Sequence, residues 1–442
     1  MAKNIPVLIK GGRILDPGTG RDEVGDILIT DGKIAWLGQG GPPLPSRRYN
    51  VIDADGMVVC PGFIDMHCHL RQPGFENKET IATGTRAAAR GGFTTVCCMP
   101  NTSPPLDNRD TINYVKLTAE LEGVVRVLPI GCITAGRRGE ELVDMAELKS
   151  VGVVGFSDDG SPLMNSRLMR AALERSAAYG LPVIDHCEDN NLTRDGQVNE
   201  GAASGRTGLK GMPAAAEEIM VARDIILSRL TGGRLHVAHV STVGSVELIQ
   251  RAKEMGVNVT AEATPHHLTL NEDIVRTYDT STKVNPPLRS KKDVAALVQG
   301  LKEGVIDVIA TDHAPHAGED KGGFYARAAF GISGLETALG SVLGLVQAGD
   351  IDIKTIIARL TSGPAGIIGG GYGGLRVGVV ADVTVFDPYR EWVVDVTKFA
   401  SKGRNTPLAG ATLHGKVMAT FSQGRIVYQD DAMKLVEKVV SD

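Results

Sequence analysis

Between residues 61 and 367, short apolar runs alternate with stretches whose apolar residues recur at helical spacing. Eight runs read as strands: FIDMHCHL (63–70), TTVCCMPN (94–101), VRVLPIGC (125–132), VGVVGFSD (151–158), PVIDHCED (182–189), RLHVAHVS (234–241), VNVTAEAT (257–264) and VIDVIATDH (305–313). Helix-period segments follow them at 78–90, 109–121, 140–149, 166–179, 214–228, 243–255, 291–303 and 335–348. Alternating strands and helices build a parallel sheet. Eight such units in roughly 300 residues predict an α/β fold of the (β/α)8 TIM-barrel type. A doubly wound open sheet is the alternative with the same local pattern.

The two flanks read differently. VLIKGGRILDP, GDILITDGKIAWLG and NVIDADGMVVCP near the start are β-rich runs separated by turn residues, with Asp31-Gly32 a hairpin signal. ADVTVFDP, EWVVD and GATLHGKVMATFSQGRIVYQD near the end repeat that character. The flanks are expected to pair as one small β-sandwich, which requires neighbouring chain ends. The expected division is 1–60 and 368–442 for the β-domain and 61–367 for the barrel. The Gly-rich IIGGGYGGLRVG at 367–378 is the hinge between them.

Composition narrows the classes. The 442 residues are 42% hydrophobic and 22% charged, a globular rather than a disordered balance. The net charge of −5 argues against a nucleic-acid binder, which carries a basic face. MAKNIPVLIKGG has no apolar core of signal-peptide length, and no run is long enough to span a membrane. Cys60, Cys68, Cys97, Cys98, Cys132 and Cys187 form no CxxC pair and read as buried free thiols, so a cytoplasmic setting is expected.

Nine of the ten histidines lie between positions 67 and 316, and their placement carries the chemistry. His67 and His69 end the first strand, Asp159 closes the fourth, His186 ends the fifth, His239 the sixth, and Asp312 and His313 the eighth. In a barrel these ends meet on one face. His67 and His69, at i and i+2, share a side of their strand, with Met66, Cys68 and Leu70 facing away. Imidazoles with carboxylates suit Zn²⁺ and related ions, and the donors outnumber the needs of one tetrahedral ion. His67, His69 and Asp312 would hold one ion and His186 with His239 a second. A carboxylate bridge is needed because two dications roughly 3.5–4 Å apart repel strongly. Asp158 and Asp159 are both candidates, and strand alternation turns only one inward. Asp312 can also take a proton from the attacking water and pass it to a leaving nitrogen. Arg71, Asn101 and His316 place a guanidinium, an amide and an imidazole at the same mouth, which suits a substrate carboxylate.

HCHLRQPGFENKET, MPNTSPPLDN, FSDDGSP, IDHCED, AHVST, ATPHHL, KVNPPLR and ATDHAPH, in this order, resemble the dihydroorotases of the long-chain bacterial type within the amidohydrolase superfamily. The resemblance spans essentially the whole chain, including GGRILDP, LRVGVVADVTVFD and NTPLAG. It implies the reversible cyclisation of N-carbamoyl-aspartate to dihydroorotate in pyrimidine synthesis. It implies two zinc ions, one on His67, His69 and Asp312 and one on His186 and His239, with Asp159 as the bridge. Arg71, Asn101 and His316 resemble the substrate-carboxylate contacts, and Asn285, Phe330 and Gly331 further substrate contacts. The loop at about 314–332 would lie over the site. Two departures stand out. Many relatives bridge their metals with a carbamylated lysine on the fourth strand, which has no lysine here; Lys149 precedes it, at the other end of the barrel. The family's usual acid after the arginine is Gln72.

Two rival expectations remain. A hydantoinase, dihydropyrimidinase or allantoinase would use the same metals without needing Arg71. A non-catalytic scaffold for aspartate carbamoyltransferase would lack the metal ligands, all six of which are present; a working enzyme is also compatible with that partner. Homo-oligomerisation is the general expectation.

Overall fold

A computed structural model describes residues 5–43 and 48–439; residues 1–4, 44–47 and 440–442, all in the flanking segments, lie outside the described residues. The central strands close into a ring. Phe63–Cys68, Phe93–Cys98 and Arg126–Pro129 pair in parallel. Val183–Asp185, Leu235–Val237, Val259–Ala263 and Val308–Ile309 form a second parallel run. The fourth strand joins the two, with Phe156 bridging Gly131 on one side and Val183 on the other. Gly131 N donates to Gly155 O at 3.0 Å and Ile184 N to Phe156 O at 2.8 Å. Cys68 bridges His313 to complete the circle, with His69 N donating to His313 O at 2.9 Å. The fold is thus the closed barrel and not the open sheet.

The helices fall where the apolar spacing puts them, and their ends are set by caps. Thr80 Oγ1 accepts from Thr83 N at 3.1 Å, so the first helix starts at Ile81 rather than 78. Asp144 Oδ1 accepts from Glu147 N at 2.9 Å, shortening the segment expected at 140–149 to Met145–Ser150. Helices Ile353–Leu360 and Ser362–Ile368 were not foreseen. The second of them ends in a plug. Ile367 packs on Met66, Val308 and Ala310, and Ile368 reaches Met99, Ile184 and Ala238 inside the barrel.

One expectation about the first strand fails. Cys68 and Leu70 face the helices, but Met66 joins the barrel interior with Ile367. The pairing with the second strand shifts register between Asp65 and Cys68, which breaks simple alternation.

The flanks pair as expected. Val383–Val393 runs antiparallel to Val58–Pro61, and Leu435–Val439 antiparallel to Arg48–Asp53. Together they form a nine-stranded sheet, and Ile14, Ile27 and Ile34 from the N-terminal side share a core with Val385, Met418 and Phe421 from the C-terminal side. Among the described residues no helix is long and apolar enough to cross a membrane. All six cysteines are free and buried.

Candidate metal centre

The strand ends bring the foreseen imidazoles and carboxylates to one buried point. His69 Nε2 lies 3.0 Å from Asp312 Oδ1 and 3.5 Å from Asp159 Oδ2. His67 Nε2 lies 3.4 Å from Asp159 Oδ1 and 3.5 Å from Asp312 Oδ1. His186 Nδ1 is 2.8 Å from His239 Nε2, and each of those atoms is 3.6 Å from Asp159 Oδ1. Ligand atoms of His67, His69 and Asp312, and likewise of His67, Asp159 and His239, fall within 4.8 Å of one another.

The pair Asp158 and Asp159 is resolved by hydrogen bonding. Asp158 Oδ1 accepts from Ile133 N at 2.9 Å and Thr134 N at 3.1 Å, which holds it away from the histidines. Asp159 points among them. The backbone is bent to achieve this convergence: Arg71, His239 and Asp312 all have positive φ, at 61°, 31° and 44°. Each such residue stores on the order of 1–3 kcal/mol, and strain of this kind gathers at functional sites.

Two glutamates that the sequence reading did not single out hold the ligands from behind. Glu262, fully buried on the seventh strand, lies 2.6 Å from His67 Nδ1 and 3.1 Å from His236 Nε2 and accepts from His239 N at 3.3 Å. Glu188 lies 2.8 Å from His186 Nε2 and accepts from Asn285 Nδ2 at 2.7 Å. In both cases a carboxylate takes one imidazole N–H and turns the other nitrogen toward the site. The clue available in the sequence was a glutamate inside an otherwise apolar strand, and a second one two residues beyond a candidate ligand.

The electrostatics favour cations. Burial opposes ionisation of Asp159, but His67, His186 and His239 hold its carboxyl well below the ordinary range. Against burial, Asp159 and Glu262 hold His67 well above the usual imidazole value, and Asp159 and Glu188 raise His186 to about 10. Burial keeps His69 low despite Asp312. Among the described residues, His67 Nε2 and Asp159 Oδ1 are buried without a hydrogen-bond partner. Buried polar atoms are nearly always satisfied, so this donor set fits bound cations rather than a packed core. A further cluster, Asp185, Cys187 and Asp224, has ligand spacing too, but Arg223 already sits 2.7 Å from Asp224 and 3.8 Å from Asp185.

A cleft of about 220 Å³ opens over the site, lined by His69, Asp159, His186, His239 and Asp312, and by Arg71, Asn101, Asn285, His316, Phe330 and Gly331. His67 lies beneath it. Arg71 Nε donates to Pro315 O at 3.2 Å, and its Nη2 lies 3.4 Å from His316 Nε2. Burial and Arg71 push His316 down to about 3, so it is neutral, and its Nε2–H donates to Phe330 O at 2.8 Å. The Gln72 side chain is engaged elsewhere than at Arg71: its Oε1 accepts from Ile81 N at 2.9 Å and its Nε2 donates to Tyr114 Oη at 3.2 Å. Asn405, in the NTPLAG segment, clasps both ends of the 314–332 loop, donating to Ala314 O and Gly331 O at 3.0 Å and accepting from His316 N at 3.0 Å. Gly331 has φ 139°, and a Cβ there would meet Ala314 Cβ at 2.7 Å and His316 Nε2 at 3.1 Å, so the clasp admits no side chain. Lys149 is exposed on the helix Met145–Ser150, outside this cleft.

Comparison with known proteins places this architecture. A family described as Dihydro-orotase-like matches residues 56–245. A dihydroorotase of Pelotomaculum thermopropionicum is 54% identical over 97% of this chain and 100% of its own length. One from Thermoanaerobacter sp. is 53% identical over 98% of this chain and 99% of its own. Among solved structures, the L-hydantoinase (dihydropyrimidinase) of Arthrobacter aurescens superposes with a TM-score of 0.86 at 26% identity, covering 98% of both chains.

Two outcomes follow from this geometry. Glu262→Gln leaves only one carbonyl acceptor where His67 and His236 both need one, so metal affinity drops about 10- to 100-fold; chelator competition measures it, and unchanged affinity refutes the role. In metal-stripped protein, His186 has its folded-state pKa raised to about 10. Its contribution to stability is therefore fully present below about pH 6.5 and is lost as pH rises through that raised value. The urea midpoint of the stripped protein should fall across that interval, and a rise would contradict the assignment.

Proposed function

The chain belongs to the dihydroorotase family, and from that premise we propose how its own residues carry the family's reaction. It is a metal-dependent cyclic amide hydrolase acting on a small molecule, a dihydroorotase of pyrimidine synthesis that interconverts N-carbamoyl-L-aspartate and (S)-dihydroorotate. The observation that carries the mechanism is the gathering of His67, His69, Asp159, His186, His239 and Asp312 beside a guanidinium.

Zinc is the proposed ion, since the donors are imidazole nitrogens and carboxylate oxygens in a number suited to two four-coordinate sites. His67, His69 and Asp312 would hold one ion and His186 and His239 the other, with the Asp159 carboxylate available to both. Bound there, the pair supplies Lewis-acid polarisation of the ring carbonyl and lowers the pKa of the attacking water. Arg71 and Asn101 donate to the substrate carboxylate and fix the ring's orientation, with His316 beside Arg71 bordering the same end and its single N–H held by Phe330 O, while Asn285, Phe330 and Gly331 border the other side. Asp312 accepts the water proton on a carboxylate oxygen and returns it to the ring nitrogen as the C–N bond breaks. In the cyclising direction it takes that proton from the attacking nitrogen.

Domain boundaries after residues 60 and 367 are part of this proposal, supported by the change from the β-domain sheet at Val58–Pro61 to the barrel at Phe63–Cys68. So are a cytoplasmic setting, supported by the six free thiols, and a homo-oligomeric working form, supported by exposed Ile219, Ile226 and Leu230 along the helix Ala215–Thr231. The hydantoinase-type alternative draws on likeness of fold, but it leaves the Arg71 guanidinium in the cleft without a substrate anion.

Metal-loaded enzyme should open dihydroorotate and leave hydantoin intact; the reverse preference would replace this reading. Asp312→Ala should cut kcat by about 10²- to 10⁴-fold with metal still bound on the second site, whereas Arg71→Ala should raise KM by about 10- to 100-fold. Steady-state kinetics with far-UV circular dichroism as the folding control separates the two roles.

A further inference from the structure

Two asparagines line the cleft, and their partners turn them in opposite senses. His69 Nε2 is the nitrogen turned to the proposed ion beside Asp312 and Asp159, and with that nitrogen ligating, its Nδ1 carries the proton and donates to Asn101 Oδ1 at 2.9 Å. Asn101 is left presenting Nδ2, a donor, toward the cleft. Asn285 is the converse. Its Nδ2 lies 2.7 Å from Glu188 Oε2, and a carboxylate only accepts, so the amide must face it with its N–H₂ end. His186 Nε2 also meets Glu188 Oε2, at 2.8 Å, which makes the 3.3 Å approach of Asn285 Nδ2 to His186 Nε2 a contact between two donors sharing one acceptor. Thr193 Oγ1 donates to the other oxygen, Oε1, and fixes the carboxylate's rotation. Among the described residues no donor reaches Asn285 Oδ1, and Asn285 borders the cleft.

We propose that Asn285 reads an N–H of the substrate through its carbonyl oxygen, and that Glu188 is the positioning residue that sets this polarity. This rests on the dihydroorotase reading. The cleft then carries a two-ended code: donors at Arg71 and Asn101 for a carboxylate, and an acceptor at Asn285 for an N–H on the far side of the ring. Glu188 couples the two halves of the site, because one of its oxygens orients both a metal-ligand candidate and a specificity residue. A ring bearing an acceptor at that place meets a carbonyl oxygen that cannot turn, since turning would set the amide oxygen against the Glu188 carboxylate. An unmatched buried polar pair of this kind costs about 1–3 kcal/mol, or about 5- to 150-fold in affinity.

The test uses full-length, metal-loaded enzyme and three competitive ligands: dihydroorotate, and two isosteric analogues in which one or the other ring N–H is replaced by oxygen. Wild type should bind at least one analogue about 10-fold or more weaker than dihydroorotate. In Glu188→Ala the freed amide can turn its N–H to the ring oxygen, and the penalty should shrink to a few-fold. Asn285→Ala should shrink it as well without touching His186, so loss of metal from Glu188→Ala would still leave the acceptor assignment measured. Arg71→Ala should weaken all three ligands together and keep their ratio. Equal binding of all three by wild type, or an unchanged ratio in Glu188→Ala with its metal retained, overturns the proposal. Failure of wild type to open dihydroorotate would overturn the functional reading itself, which the turnover assay reports separately.

Discussion

The hydrogen bonds from Glu262 to His67 and from Glu188 to His186 are the constraint on which the rest of the site depends. An imidazole has two nitrogens, and only the unprotonated one can ligate. By taking one N–H, each glutamate decides which nitrogen faces the centre. The arrangement is costly when empty, because four carboxylates, Asp159, Asp312, Glu188 and Glu262, crowd a space from which water is largely removed. Positive charge must be supplied, and protons on His67 and His186 or bound cations are the two sources. Metal binding therefore exchanges protons for dications in a frame that is already set.

That frame comes from barrel closure. No two of the ligand-bearing strand ends except those carrying His67 and His69 are the same strand, so each donor's position depends on the ring being complete. The fourth strand joins its neighbours through bridges at Phe156, backed by Val154 N donating to Pro129 O at 3.1 Å and Ser157 N to Gly131 O at 2.9 Å. Asp159 lies three residues beyond Phe156, and Asp158 anchors this stretch to Ile133 and Thr134 of the preceding strand end. The lid is secured separately, by Asn405 of the C-terminal flank. The β-domain thus reaches the chemistry through one asparagine and not only as a distant support.

Periodicity made the barrel legible: the helices that follow its eight strands, the strand positions and the pairing of the two flanks could be read from spacing and turn residues, whereas the helices Ile353–Leu360 and Ser362–Ile368 could not. The donor set was legible because strand ends converge, a rule of topology rather than of local sequence. Spacing alone left Asp158 and Asp159 open, because both sit in a turn; the resemblance pointed to Asp159, and in the structure the Ile133 and Thr134 amides hold Asp158 aside. The inward turn of Met66 was hidden by a register shift that no residue pattern marks. Glu262 and Glu188 were passed over because a glutamate in a strand or beside a histidine has many uses until its partner is known. Gln72 invited concern as a missing acid next to Arg71, but the chain turns it toward Ile81, a direction that residue adjacency does not reveal.

Specificity in this architecture has to come from the mouth and not from the metals. The fold alone does not set it, since a protein described as an L-hydantoinase shares this architecture with a TM-score of 0.86 at 26% identity. As the proposed carboxylate clamp, Arg71 would separate charged from neutral rings by exclusion as well as by attraction. Its guanidinium is partly withdrawn from water, and burial lowers its pKa. A ring with a carboxylate restores what desolvation removed. A ring without one would leave the guanidinium facing the cleft with no substrate anion to offset its desolvation. The proposed clamp would therefore disfavour neutral rings by the same physics that holds charged ones.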